Sequence, residues 1–467
     1  MKLPLFLKFL LSISFFCASA AIASPGQSIR AVVNFNAANG GDPNGPLVQG
    51  TDGNLYGTTF FGGANNGGTV YRITPNGTLT TLYSFCAQTN CTDGDGPVAG
   101  LMLATDGNLY GTTRYGGSFG LGTVFRTTPE GSLTILFSFD SIHGANPEAS
   151  LVQGTDGALY GTTATGGTTG GRGTVFRITL SGTLTRLYSF GSNRSDGANP
   201  LTPVVLGSDG NLYGTTTYGG NFACTDGCGT VFMVTPTGTF TTLHRFNMAD
   251  GESPEGALIQ ASDGNFYGTT FRGGANNLGT VFKISSVGTL TILHTFDSTG
   301  GVNPVGGLIE GTDKNLYGTT GYGGTRSAGT VFTISTGGTL TTLGNLGYIT
   351  TGATPISAMV QDTDGNFYGE GYYGGSGGYG TLFGVSTGLG QFVTTLPTFG
   401  KVGAPVKILG TNLTSATSVA FNGTPATFTV MSRSFIKTTV PTGATAGSVQ
   451  VTTSSGTLTS NVVFRVQ

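Results

Sequence analysis

The octapeptide Asp52-Gly53-Asn54-Leu55-Tyr56-Gly57-Thr58-Thr59 returns with small changes through most of the chain, and this recurrence constrains the fold more than any other feature. Its tyrosines are Tyr56, Tyr110, Tyr160, Tyr213, Tyr267, Tyr317 and Tyr368, separated by 54, 50, 53, 54, 50 and 51 residues. A period near fifty with no helical pattern inside it predicts one β-sheet per repeat, stacked in a ring. Seven copies predict an all-β, seven-bladed β-propeller. Gly supplies 83 of the 467 residues and only 9% are charged, a turn-rich and helix-poor composition. The 37% apolar content comes in short regular runs, which can bury a core where a disordered chain cannot. A net charge of −2 without a Lys or Arg run gives no footprint for a phosphate backbone, so nucleic acid is not an expected partner.

Turns divide each repeat into four strands. In the first they are Pro46 to Gly50, Leu55 to Thr59, Gly68 to Thr74 and Thr78 to Phe85, with hairpins at Asp52-Gly53 and Asn76-Gly77, whose positive φ angles suit tight turns. The fourth strand ends in Leu82-Tyr83-Ser84-Phe85, Leu136-Phe137-Ser138-Phe139 and their counterparts, and Val32-Val33-Asn34-Phe35 matches it ahead of the first repeat. Open sheet edges invite aggregation. Ala31 to Phe35 is therefore expected to supply the outer strand of the seventh blade, beside Ala358 to Ser386, and so close the ring. Phe392 to Leu396 competes for that place, although Pro397 follows directly.

Residues 1–23 read as a secretory signal peptide: Lys2 and Lys8, an apolar run from Phe9 to Cys17, then small residues, with cleavage after Ala23 or, alternatively, Ala20. The run is too short to span a bilayer, and Phe16 before Cys17 argues against a lipid anchor. A secreted or extracellular protein, without a membrane span or a sorting tail, is expected. Export makes two local disulfides the natural reading of Cys86 with Cys91 and Cys224 with Cys228. Short loops limit each to about 2 kcal/mol. A metal site is not expected, since neither loop holds a histidine.

The propeller is expected over residues 24–388 and a second domain over 389–467, where short alternating strands predict a small β-sandwich. Here Gly400-Lys401-Val402-Gly403, Ile408-Leu409-Gly410-Thr411-Asn412-Leu413, Phe421-Asn422-Gly423 and Val440-Pro441 resemble an IPT/TIG domain, which implies an immunoglobulin-like fold. The repeats, through Asp-Gly-x-Leu-Tyr-Gly-Thr-Thr, the following Gly-Gly, and Gly-Thr-Val-Phe or Gly-Thr-Val-Tyr, resemble the GloVer tandem repeats of exported bacterial proteins. Both resemblances speak to architecture; neither implies a catalytic set or a cofactor.

Function has to be sought on the face where the long, variable loops emerge, opposite the Asp-Gly turns; both disulfides are expected there. The residue before each Gly-Gly is Phe61, Tyr115, Thr165, Tyr218, Arg272, Tyr322 and Tyr373, aromatic in five of seven repeats. Such rings suit a sugar or a protein side chain, although rings in repeats more often pack between blades. Glu370 stands where other repeats have Thr, beside Tyr372 and Tyr373, and reads as a ligand contact, a general acid or a solvated substitution. Asp93, Asp95, Asp250, Glu252 and Glu255 make acidic loops that read more simply as turns than as calcium ligands. His143, His244 and His294 are the only histidines, there is no Trp, and no Gly-x-Ser-x-Gly elbow or phosphate loop is present. The leading expectation is a non-catalytic binding or adhesion protein for an extracellular glycan or protein. The alternative is a carbohydrate-active enzyme using loop carboxylates.

Overall fold

The computed structural model describes residues 27–168, 170–191 and 194–467. Residues 1–23, expected as a signal peptide, and Cys17 among them, lie outside the described residues. Each repeat forms one antiparallel sheet. In the second, Met102–Leu103, Leu109–Thr113, Thr123–Thr127 and Leu133–Ser138 pair in chain order, and the third to sixth repeats do the same. The first repeat adds a short fifth strand, Gly41–Pro43, beside Leu55–Phe61.

The octapeptide is conformationally demanding, which explains its repetition. Ala104 N–H donates to Asn108 O, Gly107 N–H donates to Ala104 O, and Gly107 has φ +94°. The loop is thus a three-residue hairpin in which only the glycine needs positive φ, rather than the tighter Asp-Gly turn expected. The sixth repeat keeps the same turn with Lys314 at φ +67°. The aspartate acts through its side chain instead. Asp106 Oδ1 accepts Asn108 N–H at 2.9 Å, and its Oδ2 accepts the Tyr110 hydroxyl at 2.7 Å. All seven repeats make this Tyr–Asp bond, at 2.6–3.1 Å. The buried tyrosine can therefore fill the core without stranding its hydroxyl. Gly111 is required by packing: a Cβ there would lie 2.6 Å from the Phe125 ring, its cross-strand partner.

The outer strand of the seventh-repeat sheet comes from the other end of the chain. Ser28–Asn34 pairs antiparallel with Thr381–Ser386, Ala31 opposite Phe383 and Val33 opposite Leu382, with one bulged residue between. The second-repeat outer strand carries the same bulge between Ile135 and Phe137. The matching bulges identify Ser28–Asn34 as the missing fourth strand. Val393–Leu396, the competitor, pairs instead with Pro405–Gly410.

Between successive sheets, the phenylalanine ending one fourth strand meets the ring on the next third strand. Phe85–Phe125, Phe139–Phe176, Phe190–Phe232, Phe246–Phe282 and Phe296–Phe332 lie at 5.1–5.5 Å. Leu346 and Phe383 share a core cluster, and Phe35 meets Tyr71 at 5.2 Å. These rings occupy the space between sheets, all but fully buried.

Residues 393–466 form two four-stranded sheets and a short parallel pair around Val406, Ile408, Phe421, Ile436 and Val451. This unit lies against the Asp-Gly turns. Ser434 donates to Thr51 O at 2.9 Å, Lys407 Nζ to Thr105 O at 2.8 Å and Arg465 to Gly207 O at 3.2 Å, while Lys314 Nζ donates to Asn461 O at 3.2 Å. It thus touches the turns of the first, second, fourth and sixth repeats and leaves the long-loop face clear. Both disulfides form, Cys86–Cys91 and Cys224–Cys228. Among the described residues no helix is long and apolar enough to cross a membrane.

Candidate ligand site

Ahead of each first strand the chain makes the same step into the centre. Asp42, Gly96, Asn146, Asn199, Ser253, Asn303 and Thr354 have φ between +52° and +62°, and each is followed by proline. Short polar residues tolerate that conformation best, and the proline fixes the next turn of the chain. The residue after proline then faces inward. Asn44, Val98, Glu148, Leu201, Glu255, Val305 and Ile356 together line a cavity of about 400 Å³, with Phe271 and Tyr322 also in its wall. Every repeat contributes a residue to this one cavity.

Two carboxylates face this space. Glu148 lies 3.1 Å from Arg114 Nε; burial nevertheless pushes its carboxyl above the usual range, with the arginine opposing. Glu255 makes no ion pair or hydrogen bond among the described residues. Burial pushes it up to about 7, with the more distant Arg272 opposing. Ser357, 6% exposed, also lines the cavity, and its hydroxyl has no partner. Sequence reasoning placed Glu255 only in an acidic loop and passed over Glu148. The signal was present in the repeated Pro-x step, but its inward direction depends on the preceding positive φ.

The rings before Gly-Gly are on the surface rather than between sheets. Phe61, Tyr115 and Tyr218 are each 38% exposed, and Tyr322 and Tyr373 are each 46% exposed. The inter-sheet space is already taken by the Phe85-type and Tyr56-type rings. Each residue before Gly-Gly instead pairs with the loop entering its own repeat, as Tyr115 does with Asp95 and Tyr322 with Val302. Phe119, Phe222, Tyr348, Ile349 and Tyr379, in the same long loops, are exposed too. Tyr372 packs edge-on against Tyr373 at 4.5 Å, and burial and Asp42 push its hydroxyl up to about 12.

Glu370 is not a solvated substitution. It is 1% exposed, Oε1 accepts a hydrogen bond from the Tyr71 hydroxyl, and Oε2 has no partner. Burial holds both groups well above their usual ranges. At this position other repeats use a threonine that reaches the neighbouring first strand, as Thr58 donates to Ala99 O at 2.8 Å and Thr162 to Thr202 O at 3.1 Å. Tyr71 likewise stands where the other third strands have Phe125, Phe176, Phe232, Phe282, Phe332 and Phe383. The two exceptions satisfy one another. The acidic loops are also internally engaged: Asp93 accepts from Tyr83 and two backbone N–H groups, and Asp250 from Asn247 and His244.

Three carboxyls raised by full or partial burial set a pH dependence. Glu255 and Asp362 are pushed up to about 7 by burial, and burial holds Glu370 well above its usual range. A carboxyl that stays protonated when folded but ionises when unfolded loses stability as pH rises above its unfolded value, by about 1.4 kcal/mol per unit. The unfolding midpoint is therefore expected to fall between pH 5 and pH 7.5. A flat or rising midpoint over that window would contradict the burial of these groups.

An all-β repeat protein of propeller-like form, with one cavity lined from every repeat, is the class defined by this geometry. The chain belongs to the Gloeobacter/Verrucomicrobia repeat family, whose model matches residues 21–226 and again 204–431. A fungal alcohol oxidase solved in complex with copper is similar in shape, with TM-score 0.54 and 12% identity over 95% of this chain and all of that one. Looser likenesses are a luciferin-regenerating enzyme, at TM-score 0.42 and 11% identity over 79% and 98% of the two chains, and a protein assigned as a gluconolactonase, at 0.39 and 14% over 79% and 94%. At these identities the likeness concerns the fold alone. No curated protein matches the chain.

Proposed function

We propose that the chain is an exported, non-catalytic glycan-binding protein: a closed seven-bladed propeller whose ligand enters the central cavity from the long-loop face, carried on an IPT/TIG-like module. The cycle of inter-sheet ring contacts, continued by Phe35 on Tyr71, supports closure. Two disulfides in the long loops suit an oxidising compartment. The observation that carries the binding reading is the set of five half-exposed rings, Phe61, Tyr115, Tyr218, Tyr322 and Tyr373, on the cavity's face. Flat apolar rings with polar tips bind sugar faces at low entropic cost.

A glycan array with the purified protein tests this. Hits are expected, and Tyr218→Ala with Tyr322→Ala should weaken them at least about tenfold, since each lost ring contact is worth about 1 kcal/mol, without lowering the unfolding midpoint. An array without hits, or hits indifferent to both substitutions, would overturn the reading. One observation favours an enzyme instead: Glu148 and Glu255 share the cavity, and one is held near pH 7, as a general acid requires. Cleavage of a bound glycan that disappears in Glu255→Gln would establish that second reading in place of the first.

A further inference from the structure

The seventh sheet packs on the first through Tyr368 and Leu382 against Leu55, Tyr71 and Ile73. This junction holds carboxyls at three positions where the others hold none. At one of them Asn146, Asn199 and Asn303 donate to carbonyls of the preceding repeat at 2.7–3.1 Å, whereas Asp42 has no amide to give and lies against the Tyr372 hydroxyl. At the second, Glu370 replaces a threonine, with Oε1 on the Tyr71 hydroxyl and Oε2 without a partner. At the third, Asp362 stands where the other repeats have Gly50, Ala104, Gly154, Gly207, Ala261 and Gly311. It is 6% exposed, in a crevice walled by Gly53 and Leu55 of the first repeat and Tyr368 of the seventh.

The charges around these groups do not offset them. Tyr71 is the titratable group that bears on Glu370; Tyr368 and Tyr372, on the same strand, face Asp364 and Asp42. Arg114, which bears on Tyr372, is already paired with Glu148. Asp364 opposes ionisation of Asp362, Asp52 lines the same crevice, and Arg30 and Arg433, at its two ends, make no ion pair with Asp362 among the described residues. A carboxyl in such an interface is tolerated while protonated and costly once ionised, and parting of the sheets returns it to water. Burial raises Asp362 to about 7 and holds Glu370 well above its usual range, so the closed junction is fully stable in acid and loses stability as pH rises through 7. Resting on the closed ring but not on glycan binding, we propose that the junction of the seventh and first sheets is a pH-dependent gate, shut in acid and opening locally, ahead of the rest of the ring, as the medium turns neutral to alkaline. Asn44 and Pro46 on one side of it and Ile356 and Ala358 on the other line the cavity, so opening widens the cavity at that one place.

The test is hydrogen exchange of the full chain, read by mass spectrometry at about pH 5.5 and about pH 8, with labelling times scaled for the intrinsic rate. The amides of Ser28–Asn34, the strand that the chain carries from the seventh sheet into the first repeat, should lose at least about tenfold in protection between the two, since one raised carboxyl shifts an opening equilibrium by about tenfold per pH unit. Those of Thr230–Val234, in the fourth sheet, should stay protected over the same times at both. Asp42→Asn, Asp362→Gly and Glu370→Thr with Tyr71→Phe, combined to give this junction residue types found at the others, should hold Ser28–Asn34 within about threefold at the two values, well short of the shift from one raised carboxyl. Asp362→Gly alone should remove the part of the rise that ends near pH 7. Equal protection of Ser28–Asn34 at both values, or a loss that survives in these variants, would overturn the inference while leaving the ring standing. Equal loss in Thr230–Val234 would overturn it too, since the whole ring would then yield together. Absence of protection in Ser28–Asn34 at both values would instead remove the closed ring on which the inference rests.

Discussion

A chain beginning at Asn36, without Ser28–Asn34 and Phe35, is expected not to reach a folded monomer. Its removal bares the whole edge of Thr381–Ser386, a strand buried along most of its length, and takes the Phe35 ring off Tyr71. An unpaired apolar edge templates association with other chains. Size-exclusion chromatography should therefore show aggregate, while the full chain runs as a compact species. The milder variant Phe35→Ala keeps the strand and removes one fully buried ring. It should cost about 3–5 kcal/mol, as core Phe→Ala changes do. Normal folding of the truncated chain would mean that Ser28–Asn34 is an accessory edge rather than part of the framework.

Glu370→Ala is the second change with a large expected effect. It leaves the Tyr71 hydroxyl fully buried without an acceptor and opens a void beside it. The stranded hydroxyl alone costs about 1–3 kcal/mol, and the cavity adds to it. The informative experiment is the double change Glu370→Thr with Tyr71→Phe, which installs at this junction the pair of residue types found at the others. Each single change should destabilise, and the double should recover most of the loss, giving a coupling of about 1–3 kcal/mol in denaturant unfolding. Additive losses would show that the two residues act separately.

Much of the architecture was legible because the octapeptide encodes it locally. Its spacing and its turn residues were sufficient to place the strands, whereas the Asp–Tyr bond and the glycine under Phe125, which explain the recurrence, emerged only from the structure. The outer strand at Ser28–Asn34 was also legible, since Val32-Val33-Asn34-Phe35 carries the same ending as Leu82-Tyr83-Ser84-Phe85. The site was less so. Exposure of Tyr115 and Tyr322 depends on what else fills the inter-sheet space, and that requires knowing which rings face which. The pairing of Glu370 with Tyr71 spans 299 residues, and each looked like an isolated departure from its own motif. Glu148 and Glu255 converge only because a positive φ before proline turns the next side chain inward, and a repeat that varies in residue type at that step gives no alignment of chemistry along the chain.

The pairing of the amino-terminal strand with the last repeat is tested most directly by a cross-link. Ser28 stands opposite Ser386, and the four described native cysteines are already paired with one another. Ser28→Cys with Ser386→Cys should therefore oxidise within a single chain. Non-reducing electrophoresis is expected to show a faster-migrating monomer, confirmed by one linked peptide pair in mass spectrometry, with the fold intact. Free thiols at both positions in the folded protein, or links only between chains, would contradict the joining of the two ends and with it the shared central cavity.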